Sequence, residues 1–187
     1  MKNILLIGKM GCGKGVITEI LCQQYGYTNY SFASWLKNTV KKHYGLTAPQ
    51  KGDIINIKGK DLTYRTVLQL FGTEVIRAFD PNWHVQEVMN QIDKVPFVID
   101  DVRFYNEIEA LGDEYNAITV KVECNESKRI QRICQRDSLC PDEQMNSHRS
   151  ETELNGYIPD YVMDNSGSKN ELLVNVKQLI SRLGVIK

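Results

Sequence analysis

The sequence predicts an α/β fold built on a parallel sheet, and three observations carry that prediction. Short apolar runs alternate with amphipathic helical patterns along the chain, which is the pattern of strands joined by right-handed crossovers. The first apolar run, residues 4–7, leads directly into a glycine-rich turn reading G-x-x-x-x-G-K from Gly8 to Lys14. The clearest central strand, residues 95–99, ends in Asp100 and Asp101, at the strand end where open α/β sheets bind ligands.

After the glycine turn, Val16, Ile17, Ile20 and Leu21 recur at helical spacing. Strand, loop and helix in succession give the glycine pattern a mechanism. Glycines let the backbone curl until successive N–H groups converge on an anion. The helix adds its unsatisfied first-turn N–H groups and its positive dipole end. Lys14 adds a point charge suited to polyphosphate oxygens. Candidate nucleotide-phosphate ligands are therefore Gly11, Cys12, Gly13, Lys14, Gly15 and Val16. The common motif ends in Ser or Thr, whose hydroxyl holds Mg²⁺; here Gly15 stands in that place. Mg²⁺ would then be held by phosphates, waters and a carboxylate elsewhere, which argues against a GTPase or a motor ATPase.

Residues 27–32 predict a second strand and residues 34–44 a helix with Phe32, Trp35, Leu36, Val40 and Tyr44 near one face. Lys37 sits in that helix's first turn, where the dipole disfavours a cation; a bound anion or plain solvation would account for it. Residues 45–62 read as a loop or excursion. Asp61 is expected to cap a helix over 63–79, with Val67, Leu68, Phe71, Val75 and Ile76 buried. Gly72 interrupts this helix at a cost of about 1 kcal/mol relative to alanine, so a close ligand or helix crossing is expected there. Residues 83–92 predict another helix. Asp100 and Asp101 are candidates for Mg²⁺ or its water shell, or for capping the next helix. Arg103 and Glu107 stand four apart, as a helical ion pair would.

Residues 117–122 predict a strand. Ser127 would cap the next helix, with Ile130 and Ile133 inward and Arg129, Arg132 and Arg136 close to one face. A row of arginines is commonly a solvated face; beside a phosphate loop it can also stabilise phosphoryl-transfer charge. Residues 138–157 are polar and aperiodic and read as a mobile segment. Residues 161–163 form a last strand, 164–168 a turn, and Leu172, Leu173, Val176, Leu179, Ile180 and Leu183 mark a final amphipathic helix.

The 187 residues fit one domain. A net charge of +0, from 23 basic and 23 acidic residues, gives no pull towards nucleic acid or anionic membrane. No apolar run is long enough for a membrane helix, and no secretory h-region follows the first methionine. The odd count of five cysteines, with no zinc spacing, suggests reduced thiols in a cytoplasmic protein.

Several stretches carry a resemblance. The loop G-K-M-G-C-G-K-G, the run Trp35-Leu36-Lys37, T-Y-R-T-V-L-Q-L-F-G-T-E-V-I-R, D-D-V-R-F-Y-N-E and H-R-S-E together resemble phage-type deoxynucleoside monophosphate kinases, within the P-loop nucleoside monophosphate kinase superfamily. The resemblance implies a P-loop kinase fold with a five-stranded parallel sheet in the order 2-3-1-4-5. It implies a core over 1–32, 93–136 and 158–187, an NMP-binding region over 33–92 and a lid over 137–157. It further implies transfer of the γ-phosphoryl of ATP, with Mg²⁺, to a deoxynucleoside 5′-monophosphate. Small nucleotides would be the partners, and a homodimer is allowed. Carried onto this sequence, Lys14, Asp101, Arg103, Arg129 and Arg132 would be catalytic. Asn165, Gly167 and Ser168 would lie beside the donor adenine. Lys9, Trp35, Leu36, Lys37, Arg65, Gln69, Gly72, Thr73, Arg77, Arg103, Arg136 and Glu151 would form the acceptor site. The run R-x-x-R-x-x-x-R-D and the Y-V-M-D-N-S-G-S tail also resemble dephospho-CoA kinase, on the same fold; H-R-S-E and Q-x-x-G-T-E do not fit that family. A P-loop protein that binds nucleotide as a signal, without catalysis, is the third reading.

Overall fold

The computed structural model describes residues 1–137, 140 and 143–184. In chain order the first half comprises β1 (Asn3–Ile7), α1 (Lys14–Tyr25), β2 (Thr28–Tyr30), α2 (Ser34–Tyr44), β3 (Ile54–Ile57), β4 (Lys60–Thr63) and α3 (Tyr64–Gln69). A π-helical segment, Leu70–Ile76, and one α-helical turn, α4 (Arg77–Phe79), continue α3. Then come α5 (Trp83–Met89), β5 (Phe97–Ile99), α6 (Tyr105–Tyr115), β6 (Ala117–Glu123), α7 (Glu126–Asp137), α8 (Glu143–Ser147), α9 (Arg149–Thr152), β7 (Tyr161–Asp164) and α10 (Lys169–Arg182).

The central sheet has the order β2-β5-β1-β6-β7, with every pairing parallel. Counted among the sheet's own strands this is the expected 2-3-1-4-5. β1 lies in the middle and is buried on both faces, so its residues sort by the two-residue period of a strand. Ile4 and Leu6 pack with Ile17 and Leu21 of α1 and with Val176 and Ile180 of α10. Leu5 and Ile7 face Val85 and Val88 of α5 and Leu111 of α6. Each such side chain stabilises the fold by about 1.5–3 kcal/mol on full burial. Helices on both faces leave the strand C-terminal ends open at one edge of the sheet, and the glycine loop and Asp100 emerge there. This is the P-loop kinase fold.

Several local expectations are corrected. The excursion over 45–62 contains a β-hairpin, β3–β4, whose two-residue turn is Lys58 (φ 50°) and Gly59 (φ 83°). Two positive φ values make the turn whose twist suits a tight hairpin. Ile55 buries its side chain against Leu36, Val40 and Val67, so the strand is held by one apolar contact row too short to read as a period. Asp61 lies in β4, where it accepts from Asn56 Nδ2 (2.6 Å); the N-cap of α3 is Thr63, whose Oγ1 accepts from Thr66 N (3.1 Å).

The buried stripe expected along 63–79 also breaks. Val67 is fully buried, but Phe71 and Val75 are 41% and 44% exposed. The π-helical segment explains this: closing i→i+5 rings advances the face more slowly than 3.6 residues per turn. Gly72 faces inward instead, and a Cβ there would stand 2.9 Å from Leu36 Cδ2, so a close helix crossing accounts for it. Ile130 is 36% exposed, while Ile133 is buried. Arg129 turns inward with Ile133, because the loop beneath offers it a carbonyl. At the start of α7, Asn125 Oδ1 accepts from Ser127 N (3.0 Å), so Asn125 plays the capping part expected of Ser127.

Cys134 and Cys140 form a disulfide, with Cα atoms 4.5 Å apart. The expectation of five reduced thiols is therefore corrected, and the cysteines no longer support a reducing compartment; Cys12, Cys22 and Cys124 are free. No helix among the described residues is long and apolar enough to cross a membrane. Residues 138, 139, 141 and 142 of the expected lid, and 185–187 of the expected core, lie outside the described residues.

Candidate active site

The loop between β1 and α1 takes its shape from its glycines. Gly8 has φ 136° and a side chain there would collide with the Val122 carbonyl. Gly13 has φ 101°, caps α1 in the left-handed region, and a side chain there would collide with the Asn165 amide. Only glycine adopts such backbone freely and leaves room for the neighbour. Cys12 N donates to Lys9 O (3.3 Å) and Val16 N to Gly13 O (3.1 Å), which closes the turn on itself. Among the described residues the N–H groups of Gly13, Lys14 and Gly15 find no acceptor. That leaves a nest of donors at the N-terminus of α1, suited to a phosphate. Cys12 is buried, so its place in the loop is a packed one, and Val16 is 40% exposed.

Lys14 is buried, and its Nζ donates to Gly8 O (2.6 Å) and Lys9 O (3.1 Å). Burial, then the charge of Arg103, lowers its pKa. A cation held only by two carbonyls and the Cys12 sulfur (3.7 Å), with no counter-ion bonded to it, is ready to be drawn to a polyphosphate.

The arginines of α7 divide. Arg129 is 3% exposed, donates to Met10 O (2.9 Å) and forms a two-pronged pair with Glu126 at 2.6 and 2.9 Å. It braces the loop and has its charge answered. Arg132 meets only neutral partners, Asn165 O (3.1 Å) and Cys124 Sγ (3.2 Å), and its Nη1 would lie 3.8 Å from a Cβ on Gly13. Among the described residues it is a guanidinium without an acidic partner, beside the nest. Asn165 Nδ2 donates to Cys12 O (2.8 Å) and draws the 164–168 turn against the loop. Ser168 caps α10 together with Glu171, and Gly167 packs against that same carboxylate.

The two aspartates also divide. Asp101 accepts from Ser31 Oγ (2.6 Å), Phe32 N (3.0 Å) and Ala33 N (3.0 Å). It fastens the turn that leads into α2. The Asp100 carboxylate has no hydrogen-bonded partner on another described residue, only its own backbone N–H, and its Oδ2 would lie 3.6 Å from a Cβ on Gly15. Burial, then the neighbouring Asp101, raises its pKa, against the pull of Lys14 and Lys37. A carboxylate held against its own desolvation beside a phosphate nest fits a Mg²⁺ ion or its water shell. Among the described residues no three His, Cys, Asp or Glu gather to hold a metal ion.

A cavity of about 190 Å³ opens on the other side of the loop. Leu36, Lys37, Arg65, Gln69, Gly72, Thr73, Arg77, Asp101, Arg103 and Glu151 all line it. Three expected acceptor residues lie elsewhere. Lys9 is exposed and lines a neighbouring cavity behind the loop. Trp35 stacks at a tilt on Trp83, with centroids 5.9 Å apart. Arg136 pairs with Asp137 (2.8 Å) with its own side chain half-exposed. Arg65 is buried between Met10 Sδ and the same Asp137.

Glu151 is the hub between the two cavities. Its Oε2 accepts from Met10 N (2.8 Å) and from Arg103 Nη1 (3.0 Å). Burial pushes its pKa up, but Arg103, Lys14 and the Met10 N–H outweigh that and hold the carboxyl below the usual range.

Glu107, His84 and Lys51 line the acceptor-side cavity without having been expected there. The expected Arg103–Glu107 pair is not formed. Glu107 instead accepts from Arg103 N (2.6 Å) and Phe104 N (3.1 Å) and pairs with Arg77, while Arg103 pairs with Glu151. Burial pushes Glu107 up to about 7. A glutamate three residues into a helix is a capping signal, and that could have located it. His84, 5% exposed, sits 3.3 Å from Gly72 O, and nothing in its local pattern marks it.

No protein-family model matches the chain, and no curated protein does. Solved structures match over nearly the whole chain. A gluconokinase from Sinorhizobium meliloti 1021 aligns with TM-score 0.60 at 15% identity, covering 97% of this chain and 93% of its own. A shikimate kinase from Bacteroides thetaiotaomicron aligns with TM-score 0.60 at 15% identity, covering 98% of both. A shikimate kinase from Acinetobacter baumannii in complex with shikimate aligns with TM-score 0.57 at 18% identity, covering 97% and 94%. At these identities the likeness concerns the fold.

Proposed function

We propose that the chain is a phosphotransferase that moves the γ-phosphoryl of ATP, with Mg²⁺, to a deoxynucleoside 5′-monophosphate. The observation that carries this is the adjacency of two anion seats. Arg103 and Glu151 line the cavity that holds Lys37 and Arg65, and both are tied to the glycine loop: Arg103 donates to Gly8 O (3.3 Å), on which Lys14 also rests, and Glu151 accepts from Met10 N (2.8 Å). Several solved neighbours of this fold are kinases, which supports the reaction class. The acceptor identity rests on the resemblance of the Arg65–Arg77 and Asp101–Glu107 runs.

In this reading the nest N–H groups and Lys14 bind the donor phosphates. Arg132 and Arg103 stabilise charge on the transferring group. Lys37 and Arg65 hold the acceptor phosphate. Arg77 is neutralised by Glu107 and shapes the site more than it charges it. Gln69 offers a donor and an acceptor to a base edge. Mg²⁺, when bound, would neutralise phosphate charge, and Asp100 is the residue that would hold it or its waters. Residues 143–157 act as a lid. The acceptor-side space, about 190 Å³, falls below the roughly 300 Å³ at which small-molecule sites begin, and Glu151 of α9 stands in the passage between the two seats. Withdrawing α9 opens that passage, and its return excludes water.

The dephospho-CoA reading would use Asp101 as general base on a ribose hydroxyl. Its two oxygens already accept three bonds from the turn at 31–33, which weighs against that role. The aspartates give a direct test. Asp100→Asn is expected to lower activity and raise the Mg²⁺ concentration needed for half-maximal rate, with little loss of stability. Asp101→Asn is expected to lower the melting temperature through lost charge-assisted bonds, of about 1.5–3 kcal/mol each, with Mg²⁺ dependence unchanged. The reverse pattern would exchange the two assignments. The acceptor is tested by assaying dAMP, dCMP, dGMP, dTMP and dephospho-CoA side by side for ADP release. Turnover of a deoxynucleotide is the expected result. Turnover of dephospho-CoA alone would replace the acceptor, and turnover of none would favour a nucleotide-binding signal protein.

A further inference from the structure

The acceptor-side cavity is bordered by the stretch between α2 and β3, for which periodicity offers no function. Its backbone is anchored to the start of α3: Arg65 N donates to Lys51 O (3.1 Å) and Tyr64 N to Asp53 O (2.7 Å). Residue 51 is thereby fixed beside the cavity, and its side chain lines it. Lys51 is exposed taken as a whole residue, and its ammonium is set among charges from three helices. These are Lys37 of α2, Arg65 of α3, and Arg136 and Asp137 of α7. Asp137 is the sole carboxylate of that set, and both guanidiniums already engage it. Among the described residues the Lys51 ammonium makes no hydrogen bond or ion pair of its own. Four cations around one shared carboxylate repel one another unless an anion completes the cluster.

We propose that Lys51 binds the phosphate dianion of the acceptor alongside Lys37 and Arg65, and so favours a doubly charged acceptor over a singly charged one. This rests on the acceptor reading above. The titration of Lys51 follows from the same position. Burial, then Arg136 and Arg65, lowers its pKa from 10.5 to about 8. A bound dianion restores the ammonium, so the complex keeps a proton that the free enzyme loses above pH 8. Binding therefore takes up a proton as pH rises past about 8, and affinity falls by up to tenfold per unit there. Below about pH 7 Lys51 is charged in both states and contributes no uptake. The phosphate's own second ionisation, near 6, is largely complete by then. Asp137 adds nothing in this window: burial pushes it up, but Arg136 and Arg65 outweigh that and hold it below the carboxylate range.

The test is calorimetric titration of wild type, Lys51→Ala and Lys51→Arg with dAMP, dCMP, dGMP and dTMP. It is run at pH 7 and pH 9, each in two buffers of different ionisation enthalpy. For whichever nucleotide binds, wild type is expected to take up most of one proton more at pH 9 than at pH 7. Lys51→Ala should bind about tenfold or more weakly at pH 7 and lose the extra uptake. Lys51→Arg should keep the pH 7 affinity within a few-fold and also lose the uptake, since arginine stays charged. A Lys51→Ala protein that binds as wild type does, or keeps the uptake, overturns the assignment while the acceptor reading stands. Binding of none of the four by wild type overturns the acceptor reading, and this inference with it.

Discussion

Replacing Lys14 by alanine is expected to reduce turnover on the order of 10²-fold or more while leaving the fold intact. The lysine is 7% exposed, but no apolar cluster depends on it; its ammonium rests on the carbonyls of Gly8 and Lys9. In the proposed reaction those contacts exchange for donor phosphate oxygens, whose charge grows towards the transition state. The variant frees two carbonyls and removes an ammonium whose burial is itself unfavourable. These effects oppose each other, so the melting temperature should move by only a few degrees, since about 1 kcal/mol shifts a protein of this size by roughly 2–4 °C. Steady-state turnover beside circular-dichroism melting checks both halves. A folded variant with near wild-type turnover would remove the glycine loop from the catalytic reading.

Arg132→Ala is expected to cost a similar factor, on the order of 10²- to 10³-fold in kcat, with acceptor KM little changed. Its neighbour separates the effect from structure. Arg129→Ala breaks the bond to Met10 O and the pair with Glu126, so it should lower stability by about 1–3 kcal/mol and disturb the loop indirectly. Arg132 holds only a carbonyl and a thiol, so its loss should leave the melting temperature near wild type. Lysine at 132 should recover little, because a point charge cannot reproduce a planar two-pronged contact with a phosphoryl group. If Arg129→Ala lowered kcat more than Arg132→Ala at equal stability, the two roles would be exchanged.

The fold and the phosphate nest were legible because both rest on local signals. A central strand such as 4–7 is apolar at every position because both of its faces are covered. Gly8 and Gly13 stand where no other residue fits the backbone or the space. The hairpin at 54–63 was not legible, since its four-residue strands offer too few positions to establish a period of two. The π-helical segment at 70–76 was invisible for a different reason. It changes the period itself, so a stripe extrapolated at 3.6 residues per turn placed Phe71 and Val75 inside when they lie outside.

The sequence by itself determined a parallel α/β sheet, a glycine loop that opens a helix and carries Gly15 where a hydroxyl could stand, and a set of cations and carboxylates grouped near the strand ends. Tertiary structure alone decided which of those charges are free. Asp100 and Asp101 are adjacent and chemically identical, yet one is bound to the turn at 31–33 and the other faces the nest. Arg129 and Arg132 lie one helical turn apart, yet one is paired with Glu126 and the other is not. Glu107 left Arg103 for Arg77, and Lys51 joined a cluster whose other members come from three separate helices. The physical reason is range. Backbone conformation and burial follow from neighbours a few residues away, whereas the partner of a charge is whatever the folded chain brings within a few ångströms, from any distance along the sequence.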